Sequence, residues 1–257
     1  MLRRAFALPL VLLCPYAALG CTSHVRDALR RLEQPGHAVV ATTAGPNASM
    51  IYLARVDSGV IVIDLGWVGA ERALRAGVRR LGGPPDRIVA VFLTHSHRDH
   101  LGAWRAVAHA PFYVSAAEVA RLEGRVGHAG WIPRLAEQVQ PTRGPRPGAV
   151  AIRAFSRDTA FAIGNDTVHA FLVPGHTAGS AAYLFRGVLF AGDAISHTAR
   201  GRLRSARAGY SDDATAARRS LTRLWSTLES YDVRFVCTAH ARCAAYTPEL
   251  RRELSAP

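Results

Sequence analysis

Lysine is absent. All 32 basic residues of the 257-residue chain are arginine, against 19 acidic ones, which gives a formal charge of +13. A basic excess can mark a nucleic-acid or membrane partner. Here the arginines are scattered (Arg79-Arg80, Arg202, Arg204, Arg207, Arg218-Arg219, Arg251-Arg252), and no RNA-binding aromatic motif accompanies them. The excess reads as the habit of an arginine-preferring source, and no nucleic-acid partner is expected. Internal repeats and low-complexity segments are also missing. No apolar run is long enough to cross a bilayer: Ala5 to Leu19 is too short and is broken by Pro9 and Pro15. Cysteine is scarce, with four in all.

That short apolar run follows Met1-Leu2-Arg3-Arg4 and reads as an export signal over residues 1–20. It ends in Ala18-Leu19-Gly20-Cys21, which resembles a bacterial lipobox, whose cysteine is lipidated. Ala18 and Gly20 also suit an ordinary cleavage site of a soluble secreted protein. Cysteine parity favours the anchor. Cys14 leaves with the signal, and a lipidated Cys21 leaves Cys237 and Cys243 as one possible pair in an oxidising compartment. The expectation is an exported, lipid-anchored protein of the bacterial envelope or periplasm. The whole chain is 49% hydrophobic, and residues 21–257 suffice for one domain with a substantial core.

After a helical lead-in at 24–34, the chain reads as strands. Residues 50–56 and 60–64 flank Asp57-Ser58-Gly59 as a hairpin. A helix with Ala73, Leu74, Val78 and Leu81 on one side follows, and residues 87–93 form a strand apolar enough to be buried on both faces. A helix is expected over 101–109, a strand over 111–115, and a helix from Ala116 capped by Ser115. Residues 124–148, rich in Gly, Pro and Arg around Trp131, read as a surface loop or a short insertion over a site. Strands are expected at 149–155, 159–163, 167–172, 181–185, 188–190 and 233–237. A helix over 213–228 is expected, with Ser211 or Asp212 as its cap. Two βα halves packed sheet against sheet, helices outside, fit this order.

Four stretches place His or Asp just beyond an apolar strand: Thr94-His95-Ser96-His97-Arg98-Asp99-His100, Pro174-Gly175-His176-Thr177-Ala178-Gly179-Ser180, Gly192-Asp193, and Thr238-Ala239-His240. Strand ends can hold side chains converging on one point. Imidazole and carboxylate suit Zn²⁺, and also Fe or Mn. His95 and His97 are two apart on an extended segment and can point the same way. Asp99 and His100 are displaced along the chain and can serve a second ion, while Ser96 and Arg98 read as spacers. His24, His37, His109, His128, His169 and His197 match no motif position. A Cys237–Cys243 disulfide flanking His240 would pin that loop. The alternative makes Cys237 a small buried residue at a strand end.

With these motifs, residues 45–243 resemble the metallo-β-lactamase fold superfamily. The resemblance implies an α/β, four-layer αββα sandwich with a two-metal site at its edge. By position, His95, His97 and His176 would bind the first metal, Asp99, His100 and His240 the second, and Asp193 would bridge both. Asp64, in Ile63-Asp64-Leu65-Gly66, matches a position that orients a ligand histidine, and equally suits a strand-end turn. The last ligand departs from the common Gly-His-Gly, since Ala239 and Ala241 flank His240.

Two Zn²⁺ sharing a water would generate hydroxide in place, for attack on the carbonyl centre of a small ester, thioester, lactone or amide. Asp99 would ligate and take part in proton transfer, so the chain is expected to be a zinc-dependent hydrolase. The narrower readings diverge. The chain is too short after His240 for the helical domain of glyoxalase II. Ser196 stands where quorum-quenching lactonases carry Tyr, and three-histidine β-lactamases lack the bridging Asp. A β-lactam hydrolase, a one-iron persulfide dioxygenase and a metal-loaded binding protein without turnover are the alternatives.

Overall fold

The computed structural model describes residues 39–44, 49–82, 87–139, 141, 144–198, 202–240 and 243–255. The export signal, Cys21 and the lead-in at 24–34 lie outside the described residues. The first half of the chain supplies β1 (Val39–Ala44), β2 (Ser49–Val56), β3 (Gly59–Ile63), β4 (Ile88–Phe92), β5 (Phe112–Ser115) and β6 (Ile152–Phe155), which form one sheet in chain order. Its first three strands are antiparallel and the rest parallel. The second half gives β7 (Thr159–Ile163), β8 (Asp166–Leu172), β9 (Ala181–Phe185), β10 (Val188–Gly192), a separate pair β11 (Ile195–His197) and β12 (Leu203–Ser205), then β13 (Phe235–Thr238) and β14 (Ala244–Ala245). The second sheet runs β14-β13-β10-β9-β8-β7.

Strand alternation explains the layering. On β2, Met50, Tyr52, Ala54 and Val56 join Ile61, Ile63 and Phe92 in a cluster between the sheets, while Ile51 and Leu53 turn to the other face. On β9 and β10, Ala181, Tyr183, Phe185, Val188 and Phe190 face that cluster, and Ala182, Leu184, Leu189 and Ala191 face away. The outer faces are covered by α1 (Glu71–Arg80), through Leu74 and Val78, and by α4 (Ala214–Thr227), through Leu221, Leu224 and Trp225. The shorter helices are α2 (Ala116–Leu122), α3 (Trp131–Val139) and α5 (Pro248–Ser255). The result is the expected αββα sandwich. Each fully buried large apolar side chain of the central layer contributes about 1.5–3 kcal/mol by leaving water.

Polar contacts tie the two sheets at one edge. Tyr183 donates through its hydroxyl to Leu93 O at 2.7 Å, and Tyr52 donates to Thr238 O at 2.7 Å. Backbone bonds run from Met50 N to Ala239 O and from Ala181 N to Thr94 O, each 2.8 Å. Burial pushes both tyrosine hydroxyls above their ordinary range, so they stay protonated donors.

Several expectations are corrected. No α-helix runs over 101–109; that stretch holds one 3-10 turn, Trp104–Val107, and a second, Arg98–His100, precedes it. The loop at 65–66 takes the hydrogen bonds a helix would need: Leu65 N donates to His100 O, Gly102 N to Gly66 O and Ala103 N to Leu65 O. A Cβ on Gly102 would lie 1.8 Å from Trp67 O, so only glycine permits this approach. Residues 124–148 contain α3 rather than loop alone. Ser115 stands at the N-cap of α2 but makes no side-chain cap bond. The cap of α4 is Asp213, one residue beyond the expected pair, accepting from Thr215 N and Ala216 N at 2.9 Å. Strands β1, β11, β12 and β14 have no counterpart among the expected ones.

Candidate metal centre

Each motif leaves a strand at the pinned edge. Thr94, just past β4, donates its N–H and hydroxyl to Asp64 at 2.8 and 2.7 Å. His97 is extended, and the 3-10 turn that follows turns Asp99 and His100 back toward it, with His100 N donating to His97 O at 2.9 Å. His176 lies between β8 and β9, where its carbonyl accepts from Asp212 N at 3.0 Å. Asp193 follows β10. His240 follows β13, between two cysteines that form the Cys237–Cys243 disulfide.

The side chains converge. His95 Nε2, His97 Nδ1 and His176 Nε2 form a triangle with edges of 3.0, 3.1 and 3.2 Å. A tetrahedral zinc with bonds of about 2.0–2.1 Å to nitrogen has ligand edges of about 3.3 Å, so this triangle fits one face of such an ion and leaves a fourth position open. Beside it, His240 Nε2 lies 3.1 Å from Asp99 Oδ2 and 3.3 Å from Asp193 Oδ2. His100 Nε2 lies 4.0 and 3.9 Å from the same two oxygens. Asp193 Oδ2 is also 3.5 Å from His176 Nε2. His100 Nε2 is buried with no hydrogen-bond partner, as a nitrogen reserved for an ion would be. Among the described residues the groups able to hold a metal ion are His95/His97/His176, His95/His100/Asp193 and Asp99/His100/His240. All seven expected residues are therefore brought together.

Protonation fits the same use for the three-histidine group and the two carboxylates, whereas His100 and His240 must each give up a proton to an incoming ion. Burial, then repulsion among neighbouring imidazoles, holds His95 and His97 well below the ordinary histidine range, so both are neutral, as a metal ligand has to be. Burial likewise lowers His176, against an opposing pull from Asp193. Burial alone would raise Asp99 and Asp193, but His100 and His240 outweigh it and keep both carboxylates ionised. Burial would depress His100 and His240 in turn. Asp64 and Asp99 instead lift His100 to about 9, and Asp193 and Asp99 lift His240 well above its usual value.

The surrounding residues divide into anticipated and missed. Asp64 serves as the orienting partner, with its Oδ2 2.9 Å from His100 Nδ1. It also takes the left-handed turn conformation (φ 57°), so both of its readings hold. Ser96 and Arg98 are more than spacers. Ser96 donates its N–H and hydroxyl to the buried Glu118, and Arg98 donates to Ala136 O of α3 at 3.0 Å while lying over the Trp67 ring. Sequence reasoning missed Glu118 and also His128, whose ring centroid is 4.6 Å from that of His97. His197 is half-buried beside the second group; burial, then His240 and Arg207, lower its pKa.

A sandwich of this layering brings His/Asp groups capable of holding metal to one strand edge. The family model described as the metallo-beta-lactamase superfamily matches residues 44–240, and the chain belongs to that superfamily, whose members are mostly hydrolases. It is 30% identical over 149 residues to a hydroxyacylglutathione hydrolase of Shewanella oneidensis, covering 58% of this chain and 45% of that protein. It is 28% identical over 109 residues to a probable polyketide biosynthesis zinc-dependent hydrolase of Bacillus velezensis, covering 41% and 38%. The chain thus spans less than half the length of these two curated relatives. An archaeal metallo-beta-lactamase superfamily protein from Sulfolobus tokodaii superposes with a TM-score of 0.62 at 18% identity, over 85% of each chain, and shares the fold.

Proposed function

We propose that the chain is a hydrolase that uses two zinc ions to cleave an ester, thioester, lactone or amide of a small molecule. The observation that carries this reading is the shared carboxylate: Asp193 Oδ2 stands between His176 Nε2 of one ligand group and His240 Nε2 of the other, 3.5 and 3.3 Å away. In this reading His95, His97 and His176 hold the first ion, Asp99, His100 and His240 the second, and Asp193 both. Bound there, the ions supply Lewis acidity toward a carbonyl oxygen and bring the pKa of water toward neutrality. The chain's own residues orient and move protons. Asp64 accepts from His100 Nδ1, so the proton that leaves when an ion binds is the one on Nε2. Asp99, ionised and part-exposed, accepts a proton at its carboxylate during the reaction. The four buried histidines form the inner wall, and the part-exposed Asp99, Asp193 and His240 form the side from which substrate approaches. The hydroxyacylglutathione hydrolase among the relatives favours a thioester as the first substrate to try.

Elemental analysis combined with a panel of thioesters, lactones, esters and β-lactams tests the reading. The expected result is two zinc ions per chain and turnover of at least one carbonyl substrate. Two bound ions with no turnover on any of them would leave only a metal-loaded binding protein, and one iron per chain would point to an oxygenase.

We also propose that the protein belongs to the cell envelope, anchored through Cys21. The Cys237–Cys243 disulfide supports it, since such pairs persist in oxidising compartments and Cys21 is then the mature chain's unpaired cysteine. Labelled fatty acid fed to expressing bacteria is expected to enter the wild type and not Cys21→Ala. Equal absence of label from both would exclude the anchor.

A further inference from the structure

Glu118, in the first turn of α2, has no part in the chemistry above, yet it is fully buried directly behind the three-histidine group. Its two carboxylate oxygens are divided between two loops. Oε1 accepts from Ser96 N at 3.0 Å and from the Ser96 hydroxyl at 2.6 Å. Oε2 accepts from the Thr177 hydroxyl at 2.9 Å and from Gly179 N at 3.1 Å. Ser96 stands between His95 and His97, and Thr177 follows His176. The loop at 179 reaches the carboxylate because glycine is there: a Cβ would lie 2.6 Å from both Glu118 N and Oε2. Arg121, one turn along α2, pairs with Asp212 at 2.7 Å and also brings its Nε to 3.8 Å from Oε1, so a shared positive charge lies beside the buried carboxylate.

We propose that Glu118 is a positioning residue for the first metal ion: its carboxylate is the fixed spacer that sets the loop of His95 and His97 against the loop of His176. The proposal rests on reading the three-histidine group as a metal site. The two oxygens of one carboxylate are held at a constant covalent separation, so four charge-assisted bonds register one loop against the other. The three ligand nitrogens come from those same two loops, and the spacing of their triangle depends on that register. Partners behind a ligand shell are commonly worth 10- to 100-fold in metal affinity.

Glu118→Gln keeps the volume but can accept on one side only. Its amide nitrogen meets the donors of one loop, which must then withdraw. Zinc affinity is measured by chelator competition in two backgrounds, His240→Ala to isolate the first ion and His176→Ala to isolate the second. Cobalt(II) visible spectra report ligand geometry alongside. The expected result is a first-ion affinity about 10- to 100-fold weaker, with an altered cobalt spectrum, and an unchanged second-ion affinity. Equal weakening of both ions would show general loosening, and no weakening would show an inert scaffold residue; either overturns the proposal. If Glu118→Gln does not fold, Ser96→Ala and Thr177→Val take its place, each of which removes one hydroxyl bond to one oxygen. Both are expected to weaken the first ion alone, and unchanged first-ion affinity in both overturns the proposal. Wild type that binds no zinc refutes the metal-site reading itself, whereas wild type that binds two ions beside an unaffected variant refutes only the role of Glu118.

Discussion

Asp193→Ala is expected to lower turnover by about 10³-fold or more and to reduce bound zinc below two per chain. The size of the effect follows from position. Asp193 Oδ2 is within reach of both ligand groups, 3.5 Å from His176 Nε2 and between 3.3 and 3.9 Å from His240 and His100. In the two-ion reading every other ligand serves one ion, so its loss weakens that ion alone. Removing Asp193 also takes away the largest charge holding His240 protonated in the metal-free protein, so that histidine falls back toward its ordinary range. Turnover on the best substrate of the panel and zinc content by elemental analysis check the expectation. Turnover within tenfold of wild type would mean that the two groups work separately and that the shared carboxylate is incidental.

Asp64→Ala is expected to cost about 4 kcal/mol of stability and to weaken the second ion about 10- to 100-fold. The carboxylate accepts from Thr94 N, from the Thr94 hydroxyl and from His100 Nδ1, all buried; alanine deprives all three of that acceptor and leaves the Thr94 hydroxyl with only its 3.1 Å contact to His95 Nδ1. Asp64 also sits at φ 57°, where alanine is less at ease than Asp or Asn. Asp64→Asn separates the two effects. It fits the same backbone and retains a carbonyl oxygen for Thr94, but it can turn an N–H toward His100 Nδ1. That ring then moves its proton to Nε2, the nitrogen needed by the ion. Asp64→Asn is therefore expected to melt near wild type and still lose second-ion affinity, measured by thermal unfolding and chelator competition. A variant that melts normally and keeps both ions would reduce Asp64 to a turn residue.

The candidate metal-holding set was legible because each of its residues follows an apolar strand, and strands β4, β10 and β13 are apolar enough to read directly. Four of the seven candidates lie in one six-residue stretch, and the other three stand beside small residues at strand exits. Glu118 was not legible. In sequence it is one acidic residue in the first turn of a helix, which ordinary helix electrostatics explains. Its meaning comes from Ser96 and Thr177, 22 and 59 residues away, and no local pattern records those contacts. His128 is hidden for a related reason. It belongs to a Gly- and Pro-rich stretch, and that stretch is held over the site by contacts such as Arg98 to Ala136 O and Ala129 N to Asp212. The expected helix over 101–109 failed at Gly102, where the 65–67 loop competes for the backbone and wins.

The tie between the two sheets has a thermodynamic meaning. Under the two-ion reading, the first ion would join His95 and His97, from the exit of a first-sheet strand, to His176 from the second sheet. The second would join Asp99 and His100 to His240 in the same way. Each ion is then a rivet through both halves of the chain, and its affinity is added to the cohesion of the fold. At a free zinc concentration about 1,000 times the dissociation constant, one such rivet contributes about 4 kcal/mol. The melting temperature would then be a function of the zinc supply, and metal starvation would weaken the scaffold together with the chemistry.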